Sequence, residues 1–213
     1  MTPRAQGTRR RHARRLLHRR PGGRHVSLLT DGFADEPHDA QRVFRAVLDA
    51  FSHPGRIVDI PVALESPPPL NAAATAFLLT LVDRETPLWL APQCASEDVA
   101  AYVRFHTGAP IVADRRGAVF AIANEPDLSD LAIGTEAYPD RSATLLVQVP
   151  SLRGGPALTL RGPGIDGASS AAIDGLPPSF AGQWATNHAL FPDRKSTRLN
   201  SSHTDISRMP SSA

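Results

Sequence analysis

The sequence predicts a layered α/β domain in which helices flank a mixed β-sheet. Apolar residues recur at helical spacing in several segments, and short apolar or β-branched runs lie between those segments. Glycine and proline mark brief connections between them. Helices that alternate with apolar strands are typical of a sheet covered by helices. The 213 residues suit one domain with a sizeable core.

The first helix is predicted to begin after residue 35. Asp35 suits the N-cap and Pro37 the first turn, and Pro54 with Gly55 ends the helical pattern. The apolar residues at helical spacing are Val43, Phe44, Val47, Leu48 and Phe51. This pattern predicts an amphipathic helix, followed by a β-branched strand over 56–62.

The remaining elements follow in order along the chain. Asn71 suits the N-cap of a second helix, and a third helix is capped by Ser96 and closed by Gly108. A last helix is predicted within 177–192. Further strands are predicted over 86–91, 109–113, 117–123, 143–149 and 156–162, with a short helix over 126–134.

The net charge of +2 averages three unlike segments. Residues 1–26 contain nine arginines and no acid, and residues 194–213 contain four basic residues and one acid. Residues 27–193 hold ten basic and twenty acidic residues, a net charge of −10. Such an acidic domain is a poor binder of phosphate backbones, so nucleic-acid binding by the N-terminal segment is only a distant alternative.

Both terminal segments are expected to lie outside the fold. The arginine-rich segment 1–26 is interpreted as the product of a start codon placed too early. The segment 194–213 resembles translated sequencing-adapter read-through, which would leave the domain at 27–193 truncated at its C-terminal side. The single cysteine and the absence of an export or membrane-spanning segment predict a cytoplasmic protein.

Common catalytic and cofactor motifs are absent. There is no nucleophile elbow and no phosphate-binding glycine motif, and a buried or incidental thiol is favoured for Cys94. No lysine precedes Lys195, which excludes a Schiff-base lysine for pyridoxal phosphate (PLP) from the central domain. We expect no metal site, because no metal-binding spacing relates the central histidines His38, His53, His106 and His188.

Three segments carry candidate ligand-binding side chains. Arg104 and His106 end a helix, where they favour C-capping over ligand binding. Arg141 lies in a loop that is either a surface turn or a binding or subunit-contact loop. Arg161 begins a glycine-rich loop, and Pro163 there removes one backbone donor, which favours a strand-ending turn over a phosphate cradle.

Six blocks taken in order resemble one protein family. They are GFADEPHDAQRVFRAVLDAFSHPGRI, PLNAAATAFLLTLVDRETPLWL, RFHTGAPIV, GTEAYPDRSATLLVQV, LRGPGI and QWATNHALFP. Together they are very similar to the PhnH family, whose members are subunits of the bacterial carbon–phosphorus lyase system. The resemblance covers about residues 32–192. Family members continue with an apolar strand, which is expected to be missing here.

The resemblance implies a small version of the PLP-dependent transferase fold without PLP. It also implies a homodimer within a core complex with PhnG, PhnI and PhnJ, functionally linked to PhnL. The expected role is that of an accessory subunit in forming α-D-ribose 1-methylphosphonate 5-triphosphate from ATP and an alkylphosphonate. No cofactor is expected in this chain, and the iron–sulfur chemistry is assigned to PhnJ.

An alternative role is direct binding or catalysis. In that case the chain itself would hold the phosphonate or the triphosphate through Arg104, His106, Arg141 and Arg161. The sequence leaves both roles open and identifies no catalytic residue.

Overall fold

The computed structural model describes residues 30–190 and 205–208. Its helices are α1 (Glu36–Ser52), α2 (Ala72–Leu81), α3 (Glu97–His106) and α4 (Phe180–Leu190). Its strands are β1 (Leu88–Leu90), β2 (Phe120–Ala123), β3 (Thr144–Val147), β4 (Leu158–Arg161), β5 (Ser169–Ala171) and β6 (Asp205–Arg208). None of the helices in these two described ranges is long and apolar enough to cross a membrane.

The predicted helix caps are confirmed at α2 and α3. The side chain of Asn71 accepts a hydrogen bond from the Ala74 amide at 2.8 Å, and Ser96 accepts one from the Val99 amide at 3.1 Å. Each cap satisfies an amide that has no partner within its own helix. At α1, Asp35 occupies the N-cap position without a capping side-chain bond.

The first sheet is parallel, in the order β1-β2-β3. Leu88 pairs with Phe120, and Phe120 pairs with Thr144. The strand predicted over 109–113 is reduced to one parallel bridge between Ile111 and Leu88. The carboxyl ends of β1, β2 and β3 therefore meet at one edge, which is where ligands bind in many open α/β sheets.

The second sheet is antiparallel, in the order β5-β4-β6. Leu160 pairs with Ser169 on β5 and with Ile206 on β6. The position of β6 differs from the expectation that the whole segment 194–213 lies outside the fold. The rest of that segment and residues 1–26 lie outside the described residues.

The main core lies between the parallel sheet and the helices. Residues 74–78 in the middle of α2 are buried, and Phe77 makes an edge contact with Phe120 at a centroid distance of 5.3 Å. The buried cluster around it includes Leu78, Leu88, Val99, Val103 and Ile122. These residues come from α2, α3, β1 and β2, so two helices share one core with the parallel sheet, as is typical of the layered α/β class.

Three details of the predicted fold are wrong. The described strands form two separate sheets instead of one mixed sheet. Residues 56–62 form no strand, although they are rich in β-branched residues, because no neighbouring backbone pairs with them. Residues 126–134 form turns instead of a helix: the Asp127 side chain accepts a hydrogen bond from the Ser129 amide at 3.0 Å, which competes with helix formation.

Candidate functional site

One face of α1 is apolar and open to solvent. Phe44, Leu48 and Phe51 are exposed to 47%, 54% and 46%. They lie four and three residues apart, so they share one side of the helix, whereas Val43 is fully buried. We call Phe44, Leu48 and Phe51 the α1 apolar face. A contiguous apolar surface of this kind is typical of a contact site for another molecule.

The α1 apolar face continues into two cavities. The first has a volume of about 340 Å³ and lies between α1, α2 and β3. The second, of about 760 Å³, lies between the end of α1, the β4–β5 sheet and α4. Phe51 and Leu152 line both cavities, and Leu152 is itself 48% exposed. The exposed helix face and the two cavities therefore form one continuous apolar region.

A polar cluster occupies the carboxyl edge of the parallel sheet. Asn124 directly follows β2 and Gln148 directly follows β3. The Asn124 side-chain oxygen accepts hydrogen bonds from Cys94 Sγ at 3.1 Å and from Gln148 Nε2 at 3.2 Å. The Gln148 side-chain oxygen accepts the Asn71 amide at 2.7 Å. These bonds join the edge of the sheet to the start of α2.

The Cys94 thiol in this cluster is fully buried. Burial raises its pKa, and the hydrogen bond from Gln148 opposes that effect only in part. A raised pKa keeps the thiol protonated, and the protonated thiol is a poor nucleophile. The predicted burial of Cys94 is confirmed, while Asn124 and Gln148 were not identified from the sequence. Their only sequence signal is their position immediately after apolar strands.

The structure places Arg104 and His106 in the last turn of α3. Arg104 is exposed, and the His106 ring packs against Tyr102 at a centroid distance of 4.3 Å. His106 Nε2 lies 3.1 Å from the Thr30 carbonyl oxygen. Gly108 adopts a left-handed φ of 68°, which is the predicted helix-ending conformation. In this setting His106 fastens residues 30–32 to α3.

Arg141 and Arg161 lie on two other elements. Arg141 is in a 3-10 turn ahead of β3, and its guanidinium stacks on the Tyr138 ring at 4.1 Å. Arg161 is the exposed last residue of β4. The turn after it packs on α1, since a Cβ at Gly164 would lie 2.8 Å from the Ser52 carbonyl oxygen. Arg161 therefore stands at a strand-ending turn.

The four candidate residues thus occupy three separate locations. No hydrogen bond, ion pair or ring contact joins one of these locations to another within the described residues. Across the same residues, no group of three or more histidine, cysteine, aspartate or glutamate side chains is arranged to hold a metal ion. The geometry does not assemble these residues into one anion site.

These features define an α/β protein with an exposed apolar region, formed by the α1 apolar face and the two cavities, that is suited to protein or ligand contact. The model of the bacterial phosphonate metabolism protein family, PhnH, matches residues 31–207. The chain belongs to the PhnH family.

Two relatives illustrate this membership. One is the α-D-ribose 1-methylphosphonate 5-triphosphate synthase subunit PhnH of Rhizobium meliloti (strain 1021), with 41% identity over 169 residues. That match covers 78% of this chain and 84% of the relative. The other is HtxG of Stutzerimonas stutzeri, provisionally named a C-P lyase subunit protein, with 29% identity over 154 residues, or 71% of this chain and 73% of the relative.

Proposed function

We propose that this chain is an accessory subunit of a carbon–phosphorus lyase complex. Its role is to support formation of α-D-ribose 1-methylphosphonate 5-triphosphate from ATP and an alkylphosphonate. The names of both relatives support this role, since each is described as a subunit of such a system. Within the role, the chain contributes a contact surface and not the reacting groups.

The observation that carries the proposal is the α1 apolar face. Phe44, Leu48 and Phe51 keep about half of their surface in water, which is costly for side chains of this size unless another molecule covers them. Buried aromatic and aliphatic side chains are also the usual centre of a protein interface. We therefore assign the α1 apolar face to subunit contact.

The proposal has finer parts that follow from family membership. The partners are a second copy of the chain and the PhnG, PhnI and PhnJ subunits, with PhnL linked functionally. The chain works in the cytoplasm without PLP or an iron–sulfur cluster of its own. Its fold is related to a small PLP-dependent transferase, a relationship that remains a prediction.

The test replaces two residues of the α1 apolar face and measures assembly. Phe44→Ser with Leu48→Ser removes apolar surface that is already half exposed, so the isolated chain should keep its fold. The matched control is Arg45→Ser, on the same helix and also exposed. Each variant is co-expressed with the other complex subunits, and the assembled complex is measured by size-exclusion chromatography with light scattering.

We expect the double variant to be absent from the assembled complex and the control to assemble like the wild type. Growth on an alkylphosphonate as the only phosphorus source should then fail for the double variant alone. Normal assembly of the double variant would refute the subunit-contact assignment.

The second candidate function is direct ligand binding by Arg104, His106, Arg141 and Arg161, acting at their three separate locations and not as one site. Arg161 favours it most, because its side chain is exposed at a glycine-rich turn. Separate Arg141→Ala and Arg161→Ala variants test it. Intact assembly with lost growth on phosphonate supports a ligand role for the replaced arginine. Loss of assembly supports an interface role instead.

A further inference from the structure

The 760 Å³ cavity has a lining with an unusual charge for this protein. Its walls are mainly apolar, and Arg56 and Arg153 are the charged residues among the described residues that line it. Within the part of the chain that the structure describes, no aspartate or glutamate lines it, although residues 27–193 hold twice as many acidic as basic residues. Two positive charges on an otherwise apolar cavity favour a ligand that combines an apolar body with a negative group.

Aromatic side chains form part of the cavity wall. Phe51 comes from α1, and Phe180 and Trp184 come from α4. The rings of Phe180 and Trp184 lie 6.0 Å apart between centroids. Aromatic walls favour flat ring systems, which can stack or make edge contacts with them. The volume also falls within the range of small-molecule sites, roughly 300–1,000 Å³.

Both arginines are carried by firmly held backbone. Arg56 follows Gly55, whose added Cβ would lie 2.6 Å from Leu160 Cδ1, so this turn packs directly on β4. The Arg56 guanidinium also forms an ion pair with Asp49 at 3.1 Å, which orients it and partly offsets its charge. A site whose charged groups are already positioned loses less conformational entropy when a ligand binds.

The loop that carries Arg153 is bonded at both sides. The Gly155 amide donates to the Ala172 carbonyl at 2.8 Å, and the Asp174 amide donates to the Ser151 carbonyl at 2.9 Å. The Arg153 amide donates to the Ser151 hydroxyl at 3.0 Å. The Arg153 guanidinium makes no ion pair with any residue of 30–190 or 205–208, so its charge is available to a ligand.

We propose that this cavity binds a planar aromatic anion, with the ring between the aromatic walls and the phosphate or carboxylate at Arg56 and Arg153. Arginine suits this role because its planar guanidinium can bind either group with two parallel hydrogen bonds. Two sources share this chemistry, a purine nucleotide and an aromatic carboxylate. Arg104, Arg141 and Arg161 do not line this cavity. Phe51 belongs both to the cavity wall and to the α1 apolar face, but the inference does not depend on the proposed subunit role.

The experiment titrates the full chain with 1-anilinonaphthalene-8-sulfonate, a fluorescent aromatic anion. The test variant combines Arg56→Gln with Arg153→Gln, and the control combines Arg45→Gln with Arg84→Gln, two exposed arginines that do not line the cavity. Both variants lose two positive charges, so a difference between them reports the location of the charge. Binding of the uncharged probe N-phenyl-1-naphthylamine checks that the cavity itself persists.

We expect the test variant to bind the anionic probe about tenfold more weakly than the control, since charge-assisted hydrogen bonds are lost. Binding of the uncharged probe should not change. Equal affinity of the test and control variants for the anionic probe would overturn the proposal. The Ala157→Phe variant, which narrows the cavity, provides a second check. If this variant no longer binds the uncharged probe but still binds the anionic probe as the wild type does, the proposal is also overturned.

Competition against the bound probe distinguishes the two sources. Displacement by ATP but not by adenosine identifies a nucleotide, and displacement by 1-naphthoate but not by ATP identifies an aromatic carboxylate. Adenosine has the ring without the charge, and tripolyphosphate has the charge without the ring. If either one displaces the probe as strongly as ATP does, the ligand does not need both features and the proposal is contradicted. Failure of both ATP and 1-naphthoate to displace the probe also contradicts the proposal.

Discussion

Replacing Gly155 with alanine tests how the second sheet holds the loop that carries Arg153. An added Cβ at this position would lie 2.0 Å from the Ile173 carbonyl oxygen and 2.3 Å from its carbonyl carbon. Both are backbone atoms, so no side-chain rotation can relieve the contact. The backbone around Gly155 must therefore move away from residues 173–174.

The size of the effect follows from the contacts that this movement breaks. Moving the Cβ to a tolerable distance separates the two backbones by about 1 Å or more. Two hydrogen bonds span them, Gly155 to Ala172 and Asp174 to Ser151, each contributing about 1 kcal/mol. Residual overpacking adds about 1–3 kcal/mol. Together these terms give an expected loss of about 3–5 kcal/mol, or about 6–20 °C in Tm for a chain of this size.

Urea unfolding and differential scanning calorimetry measure this loss. Gly117→Ala is the matched control, because a Cβ there has no heavy atom within 4 Å and its backbone is not left-handed. The control should unfold close to the wild type. A Gly155→Ala protein within about 0.5 kcal/mol of the wild type would refute the close-packing argument, since that is the range of ordinary surface substitutions.

Two further predictions concern pH. The pKa of Asp39 is lowered, first by the hydrogen bond from the Asp35 amide and then by Arg42, so its stabilising effect is present above pH 3.8 and lost as the pH falls through the lower folded pKa. The urea midpoint of the Asp39→Asn variant should therefore fall less at acid pH than the midpoint of the wild type. An equally steep fall in the variant would contradict this prediction. Burial, and then the charge of Asp31, raise the pKa of Tyr102 to about 12. The protonated Tyr102 side chain therefore stabilises the fold below pH 10, and this stabilisation should be lost between pH 10 and about 12. The Tyr102→Phe variant should not show this loss of stability in unfolding curves measured at alkaline pH. An equal loss in the variant would refute the prediction.

Local signals predicted the helices well. Asn71 and Ser96 were identified as caps because capping depends on side chains within a few residues of the helix start. Gly108 was identified as a helix-ending residue for the same reason. The helix boundaries needed no information from distant parts of the chain, and they are confirmed to within about two residues for α1, α2 and α3.

Strand pairing could not be predicted in the same way. Residues 56–62 have strand propensity, yet Ile57, Val58 and Ile60 line cavities instead of pairing with a neighbouring strand. A strand needs a partner, and the partner is set by the whole fold and not by the local sequence. The division into a parallel and an antiparallel sheet depends on the same distant choice.

The candidate site shows a further limit. The sequence predicts that Phe44, Leu48 and Phe51 lie on the apolar side of α1, but helical spacing gives only a period and not the identity of the covering surface. Val43 is buried within the chain, whereas its neighbour Phe44 is half exposed. The apolar stripe of α1 is broader than the part that the core of this domain covers, and the uncovered part indicates contact with another molecule. This uncovered part can be recognised only from the structure, because the position of α2 determines how much of α1 the domain itself buries. The exposed part of α1 is the surface that we assign to contact with other subunits.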